Sequence, residues 1–413
     1  MQIRFTRIES LGCVLGSILA LSLACDKDPL ANNGGFTPRE PITIPVLGHG
    51  TIVNRFAAEV AVSGTWAYTT TWSARPAPGN AIMIWNVAGD TPVLADTVIV
   101  AGANTLGDVQ ISDDGRLLVV ATEYRPGSIV MFDRTTPDRL VQLSRFESAN
   151  TAAGVHTVKL GRVSGRLYAF LCIDPSPARL VIVDITDPAN PVEVFQRAMG
   201  APYVHDVFVR DGLLFTALWD EGMAIWDIGG GGRGGTPANP ALISNILTVN
   251  GNVHNLWWFH NPNGEKKYVF VGEEGAGSVS GGASSGDIHV VDISDIMVPR
   301  EVAFYTVAGA GTHNFVMDEA AGILYAAYYN AGVRALDVTG DLSRCETNAR
   351  ATDGRCNMGL VRREAGFALT DGNPRVSIWG VAINGNSLYA SDMLSGIYKL
   401  SIASLRTQAG ARR

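Results

Sequence analysis

Basic residues never cluster in this 413-residue chain, and 32 Lys and Arg against 39 Asp and Glu leave a net charge of −7. Without a basic block there is nothing to track a phosphate backbone, so nucleic acid is not an expected partner. Charged residues make up only 17% of the chain, yet no apolar run after the N-terminus reaches the roughly 18 residues of a membrane helix. Helical apolar spacing is not sustained in the body of the sequence either. The G-x-S-x-G elbow, the Walker loop and the H-E-x-x-H helix are all missing, which removes the readiest assignments to hydrolase, NTPase or metalloprotease. Cysteine is scarce at five residues, and no second Cys or His pair stands near Cys345 and Cys356 to complete a zinc site.

What the chain does have is a repeat. Ala58, Gly107, His156, His205 and His254 follow one another at steps of 49 residues, and steps of 59 and 66 extend the column to His313 and Trp379. Each opens a short apolar-rich run of strand type: AEVAV, GDVQI, HTVKL, HDVFV, HNLWW, HNFVM and WGVAI. A second column ends apolar runs at Asn86, Asp133, Asp184, Asp227, Asp292, Asp337 and Ser401, and turn sequences often follow it. A further β run lies between the columns, so each unit reads as four short strands joined by hairpins. Such a sheet cannot bury both faces alone, but units stacked around an axis can. The expected fold is therefore all-β: a seven-bladed β-propeller of four-stranded blades over residues 42–403. Only three strands of the seventh unit precede the chain end, and PVLG at 45–48 resembles the fourth-strand starts at 92–94 and 191–193. Residues 42–53 are accordingly expected to supply the missing outer strand of blade 7, which removes an exposed edge.

The N-terminal 24 residues read as a signal peptide, with Arg4 and Arg7 ahead of an apolar core at 11–23. Leu21-Ser22-Leu23-Ala24-Cys25 resembles a bacterial lipoprotein signal, with Ser22 where that pattern usually has Leu. The resemblance implies lipid on Cys25 and a membrane as partner; a plain secretory signal is the alternative. Residues 25–41 have the polar, Gly- and Pro-containing composition of a flexible tether, and 404–413 read as a tail. Both signal readings place the body outside the cytoplasm, in the bacterial cell envelope or secreted. There Cys345 and Cys356 are expected to form a disulfide, and Cys172 reads as a buried free thiol.

Leu180-Val181-Ile182-Val183-Asp184 with the following ITDPANP resembles the LVIVD repeat of bacterial surface and secreted proteins. That resemblance implies a propeller scaffold and says little about chemistry.

Chemistry is suggested by the column. It holds four of the seven histidines, and it should lie at one mouth of the central channel. Acids follow the column or return to the same mouth: Glu59, Asp108, Glu123, Asp174, Asp206, Asp220, Glu273, Glu274 and Asp392. His156, His205, His254 and His313 are thus candidate ligands for iron, copper or zinc, with the acids as a ligand-binding rim. Two features compete with that reading. The four histidines come from adjacent blades and fill one arc. They also run in phase with core residues two and four places on (Val158, Leu160; Val207, Val209; Leu256, Trp258), which predicts packing between blades and a hydrogen-bonding role that ties blade to blade. The expected function is a binding or scaffold protein that takes an unidentified protein or small molecule on this face. The alternative is a metal-dependent oxidase or hydrolase using the histidines.

Overall fold

A computed structural model describes residues 33–74, 77–199, 202–275, 283–370 and 375–411. The signal segment and Cys25 lie outside the described residues. Seven antiparallel sheets succeed one another, and their innermost strands are Phe56–Ser63, Thr105–Ile111, Thr157–Val163, Asp206–Arg210, Val253–Trp258, Phe315–Asp318 and Ile378–Asn384. Each of these strands contacts the next, and Ile378–Asn384 returns to Phe56–Ser63, so the fold is a closed seven-bladed β-propeller.

The two middle strands of a blade are covered on both faces. This explains why they read as continuous apolar runs and not as alternating ones. Leu117–Glu123 is buried along its whole length. One apolar cluster fills each of the seven junctions between blades. Phe170 of blade 3 packs with Leu214 and Trp226 of blade 4, and at the closing junction Tyr389 and Ile397 of blade 7 pack with Ala57 and Trp85 of blade 1. Full burial of each such side chain contributes on the order of 1.5–3 kcal/mol.

The N-terminal segment serves two blades, and this amends the expected architecture. Val46–Thr51 pairs antiparallel with Gly396–Ser401 as the fourth strand of blade 7. Ile42–Thr43 instead runs parallel to Glu364–Ala368 and becomes a fifth strand of blade 6. Blade 5 also has five strands, because Cys356–Asn357 adds in parallel to Arg300–Tyr305. Short parallel additions carry no side-chain alternation of their own, so the sequence pattern did not betray them. The disulfide between Cys345 and Cys356 is present, with a Cα separation of 5.9 Å, and Cys172 is a buried free cysteine.

Both ends of the propeller are docked. Phe36, in the segment read as tether, is buried beneath the Arg363 guanidinium at 4.2 Å. Residues Ala403–Gly410, read as tail, form a short helix that buries Leu405 and Ala409 against the junction of blades 6 and 7. Among the described residues no helix is long and apolar enough to cross a membrane.

The second column proves to be turn chemistry. The side chains of Asn86, Asp133, Asp184, Asp227, Asp292 and Asp337 each accept the backbone N–H two residues on, at 2.7 to 3.0 Å. This is the local bond for which Asx residues are favoured at turns.

Candidate functional site

A break in strand regularity puts the histidine column on the axis. In blades 1, 2, 5 and 7 the register of the two inner strands shifts at the column residue, between Ala57 and Val60, Leu106 and Asp108, Val253 and Asn255, and Ile378 and Gly380. In blades 3, 4 and 6 the column residue precedes the strand, which begins at Thr157, Asp206 or Phe315. Such irregularities re-aim side chains, so the column residue and its successor both reach the channel. The expectation that the histidines stay in phase with the interblade core is therefore overturned. His156, His205, His254 and His313 all line a central cavity of about 290 Å³, together with Glu59, Asp108 and Asp206.

The four imidazoles form a row, with successive ring centroids 4.3, 4.0 and 4.3 Å apart. His205 Nδ1 lies 3.2 Å from the His254 carbonyl oxygen, and His313 Nδ1 lies 2.6 Å from that of Trp379. A carbonyl only accepts, so each Nδ1 carries the proton and donates it. Each Nε2 then carries a lone pair, and that of His205 faces His156. The blade-to-blade tie is thus real, but it occupies only one nitrogen of each ring. His205 Nε2 stands 2.9 Å from His156 Nε2. His254 is 1% exposed, and neither of its nitrogens makes a full hydrogen bond.

Carboxylates flank this row. His156 Nδ1 is 3.2 Å from Glu123 Oε1, and its Nε2 is 3.8 Å from Asp174 Oδ2. His254 Nε2 is 3.5 Å from Glu274 Oε2, and His313 Nδ1 is 3.7 Å from Glu59 Oε1. Burial opposes charge on His156, but Asp174 and Glu123 outweigh it and lift the imidazole to about 10. Burial and the neighbouring His156 charge lower His254 to about 3. Burial, with the adjacent imidazoles, holds His205 and His313 well below the usual histidine range. One cation therefore heads a row of three neutral rings. Burial also raises Asp174 and Asp206 to about 7, and moves Asp108 and Glu59 upward.

Two sets of side chains bring ligand atoms within 4.8 Å of one another: His156, Asp174 and His205; and His205, His254 and Glu274. They share His205, whose Nδ1 is committed to a carbonyl. Only its Nε2 can coordinate, so the two sets describe alternative or merged positions for one ion. Imidazole with carboxylate suits zinc, iron or copper. The Nδ1 bond to a carbonyl is the usual device for orienting a ligating histidine.

Three of the expected rim residues are elsewhere. Glu273 turns into blade 5, where its Oε2 lies 3.2 Å from His289 Nε2. Asp220 is exposed and lines a groove between blades 3 and 4. Asp392 spends its carboxylate on the backbone N–H groups of Ser377 and Leu394. Adjacent residues at a strand end diverge, and this separates Glu273 from Glu274.

Beside the column residue Trp379, the mouth holds Trp72, Trp219 and Tyr329, which were not foreseen there. Trp379 lies against His313 at 4.4 Å and Trp72 at 5.3 Å, and Trp72 meets His156 edge-on at 6.2 Å. The two tryptophans thus complete a ring that the histidines leave open. Blades 1 and 2 contribute only Ala58 and Gly107 to the column. A Cβ on Gly107 would sit 2.2 Å from the His156 carbonyl oxygen, so that position admits no side chain. The small residues were the available signal that something large must fill this arc. Trp219 faces His205 at 5.4 Å, and Tyr329 donates to Glu274 while its ring lies 5.2 Å from His313. Trp219 and Tyr329 hold left-handed backbone angles, φ 53° and 36°. Such conformations cost of order 1–3 kcal/mol and gather at functional sites.

Among proteins of known family, the profile described as the LVIVD repeat matches residues 167–197, the span from the second to the outer strand of blade 3. No curated protein matches the chain. The chain carries an LVIVD-repeat domain, and the matched copy builds the blade that presents His156 to the channel.

Proposed function

We propose that this protein is an extracytoplasmic binding propeller, lipid-anchored through Cys25, and that its working site is the histidine-bearing channel mouth. The ligand of that site is a single transition metal ion held by His205 and His254, with His156, Asp174 and Glu274 completing the set. One observation carries the reading: His205 and His313 spend Nδ1 on carbonyl oxygens and turn Nε2 toward the channel, where that of His205 meets His156, while buried His254 makes no full hydrogen bond on either nitrogen. An unsatisfied buried polar group costs roughly 1–3 kcal/mol, and coordination would remove that cost. The disulfide supports an oxidising compartment.

An enzymatic reading has support from ligand number. Each set supplies three protein ligands, and three ligands with open positions are the pattern of catalytic metal centres. In that case the histidines would hold and orient the ion, and His156 would carry a proton beside it.

Elemental analysis of the mature protein tests the proposal. We expect close to one zinc, iron or copper per chain, lost in the His205→Ala/His254→Ala variant. A metal-free protein whose thermal stability ignores added zinc would contradict it.

A further inference from the structure

Beneath the histidines the channel continues into a belt formed by the residues that follow the column. Glu59, Asp108 and Asp206 face the same cavity of about 290 Å³, and Lys159 is the one Lys or Arg among the described residues that line it. Asp206 and Glu59 are each held at one oxygen, and Asp108 at both, its Oδ1 accepting Val109 N at 2.6 Å. Asp206 Oδ1 accepts Val207 N at 2.7 Å, Asp108 Oδ2 accepts Val158 N at 3.0 Å, and Glu59 Oε1 accepts Asn314 Nδ2 at 2.5 Å. Lys159 Nζ rests over the rings of Phe208 and Trp257 at 5.6 and 6.0 Å. Farther along, the wall becomes apolar at Val62, Ile111, Val316 and Ile383.

Mouth and belt together place six carboxylates (Glu59, Asp108, Glu123, Asp174, Asp206, Glu274) against two basic groups, His156 and Lys159. Charges of one sign in a low-dielectric enclosure attract a counter-charge strongly. A second metal ion does not fit the belt, because the close ligand groupings among the described residues both lie at the histidines. The widely set acids match a cation that brings its own spread of N–H donors. Independently of the acids, His254 points to a ligand in this cavity: it lines it, is 1% exposed and makes no full hydrogen bond on either nitrogen, with Glu274 3.5 Å from Nε2.

We infer that the channel is a binding chamber for a small organic cation, a primary ammonium compound with a short apolar chain, whose head group sits among Glu59, Asp108 and Asp206. The apolar wall takes the chain. Lys159 is then the resident competitor for the belt, and its removal should help the ligand. This inference does not require the metal.

Calorimetry with n-butylammonium chloride, 1-butanol and sodium butyrate, on metal-free and zinc-loaded mature protein, tests it. We expect one butylammonium per chain, bound at least tenfold more tightly than butanol, and no butyrate. Asp206→Asn should weaken butylammonium at least tenfold, and Lys159→Met should tighten it severalfold. Unchanged near-UV circular dichroism and zinc affinity within threefold would show that both variants are folded. Equal binding of butanol, binding of butyrate in place of butylammonium, or weaker butylammonium binding in Lys159→Met would each overturn the inference. Butylammonium binding without any zinc binding would sink the metal reading and leave this one standing.

Discussion

Asp227 and His254 are each 1% exposed polar residues of the repeat, yet the protein treats them in opposite ways. The Asp227 carboxylate takes the backbone N–H groups of Gly229, Gly230 and Gly231 on one oxygen and of Arg233 and Gly235 on the other. Burial works against its charge, but these donors prevail and lower its pKa to about 2. The glycine-rich run at 229–235 is a collar around one acid. His254 lies in an equally dry place with no full hydrogen bond on either nitrogen. A polar group that is buried and satisfied serves the fold. One that is buried and left unsatisfied marks where the fold gives up stability for something that binds.

The largest effect expected from this contrast is on stability. Asp227→Ala strands five backbone donors and should lower unfolding free energy by about 3 kcal/mol, read by urea denaturation. A loss below about 1 kcal/mol would break the comparison at the structural end.

The pH dependence of stability should show two limbs. Asp227 is depressed to about 2, below its unfolded value near 4. Its contribution is therefore full above pH 4 and lost as pH falls through 2. His289 lies between Glu301 at 2.7 Å and Glu273 at 3.2 Å. Burial opposes its charge, but the two acids raise its pKa to about 9. That contribution is full below the unfolded value near 6.5 and lost as pH rises through 9. Asp227→Asn should flatten only the acid limb, and His289→Gln only the alkaline one. Denaturation midpoints across pH decide this.

His254→Leu should behave unlike either. It replaces an unsatisfied ring with an apolar side chain, so stability should change by less than about 1 kcal/mol, or rise, while zinc affinity falls at least a hundredfold. Smallest of all, Asp133→Ala removes a partly exposed residue whose carboxylate caps the N–H of Thr135. Its loss of stability should be the least of the series, because a single turn bond open to water contributes little. The series from Asp227 to Asp133 then measures what the glycine collar adds to an ordinary turn.

Seven blades, the closing strand at 46–51, the Asp turns and the disulfide were legible because each leaves a local signature: period, turn chemistry or cysteine spacing. The extra strands at 42–43 and 356–357 were not, because two parallel residues carry no alternation. The site was half legible. The column, with its steps of 49 and then 59 residues, aligned all four histidines with Glu59, Asp108 and Asp206 beside them, and the ends of the second strands returned Glu123, Asp174 and Glu274 to the same mouth. Strand phase then misdirected them toward the blade interior, because a register shift at His254, or a strand that begins one residue late after His156, leaves no mark in composition. Glu273 and Asp392 stood in the right columns, but backbone direction turned them away. Trp72 was not legible as a mouth residue, since only the closed ring shows which arc Ala58 and Gly107 leave open.

The central claim is that one ion is shared through His205, whose Nε2 exchanges its hydrogen bond with His156 for the metal. Zinc titration of the mature protein, with stoichiometry from calorimetry, tests it most directly. The account predicts one zinc per chain, with binding abolished in His205→Ala. Two zinc ions per chain, or full binding retained in His205→Ala, would contradict it.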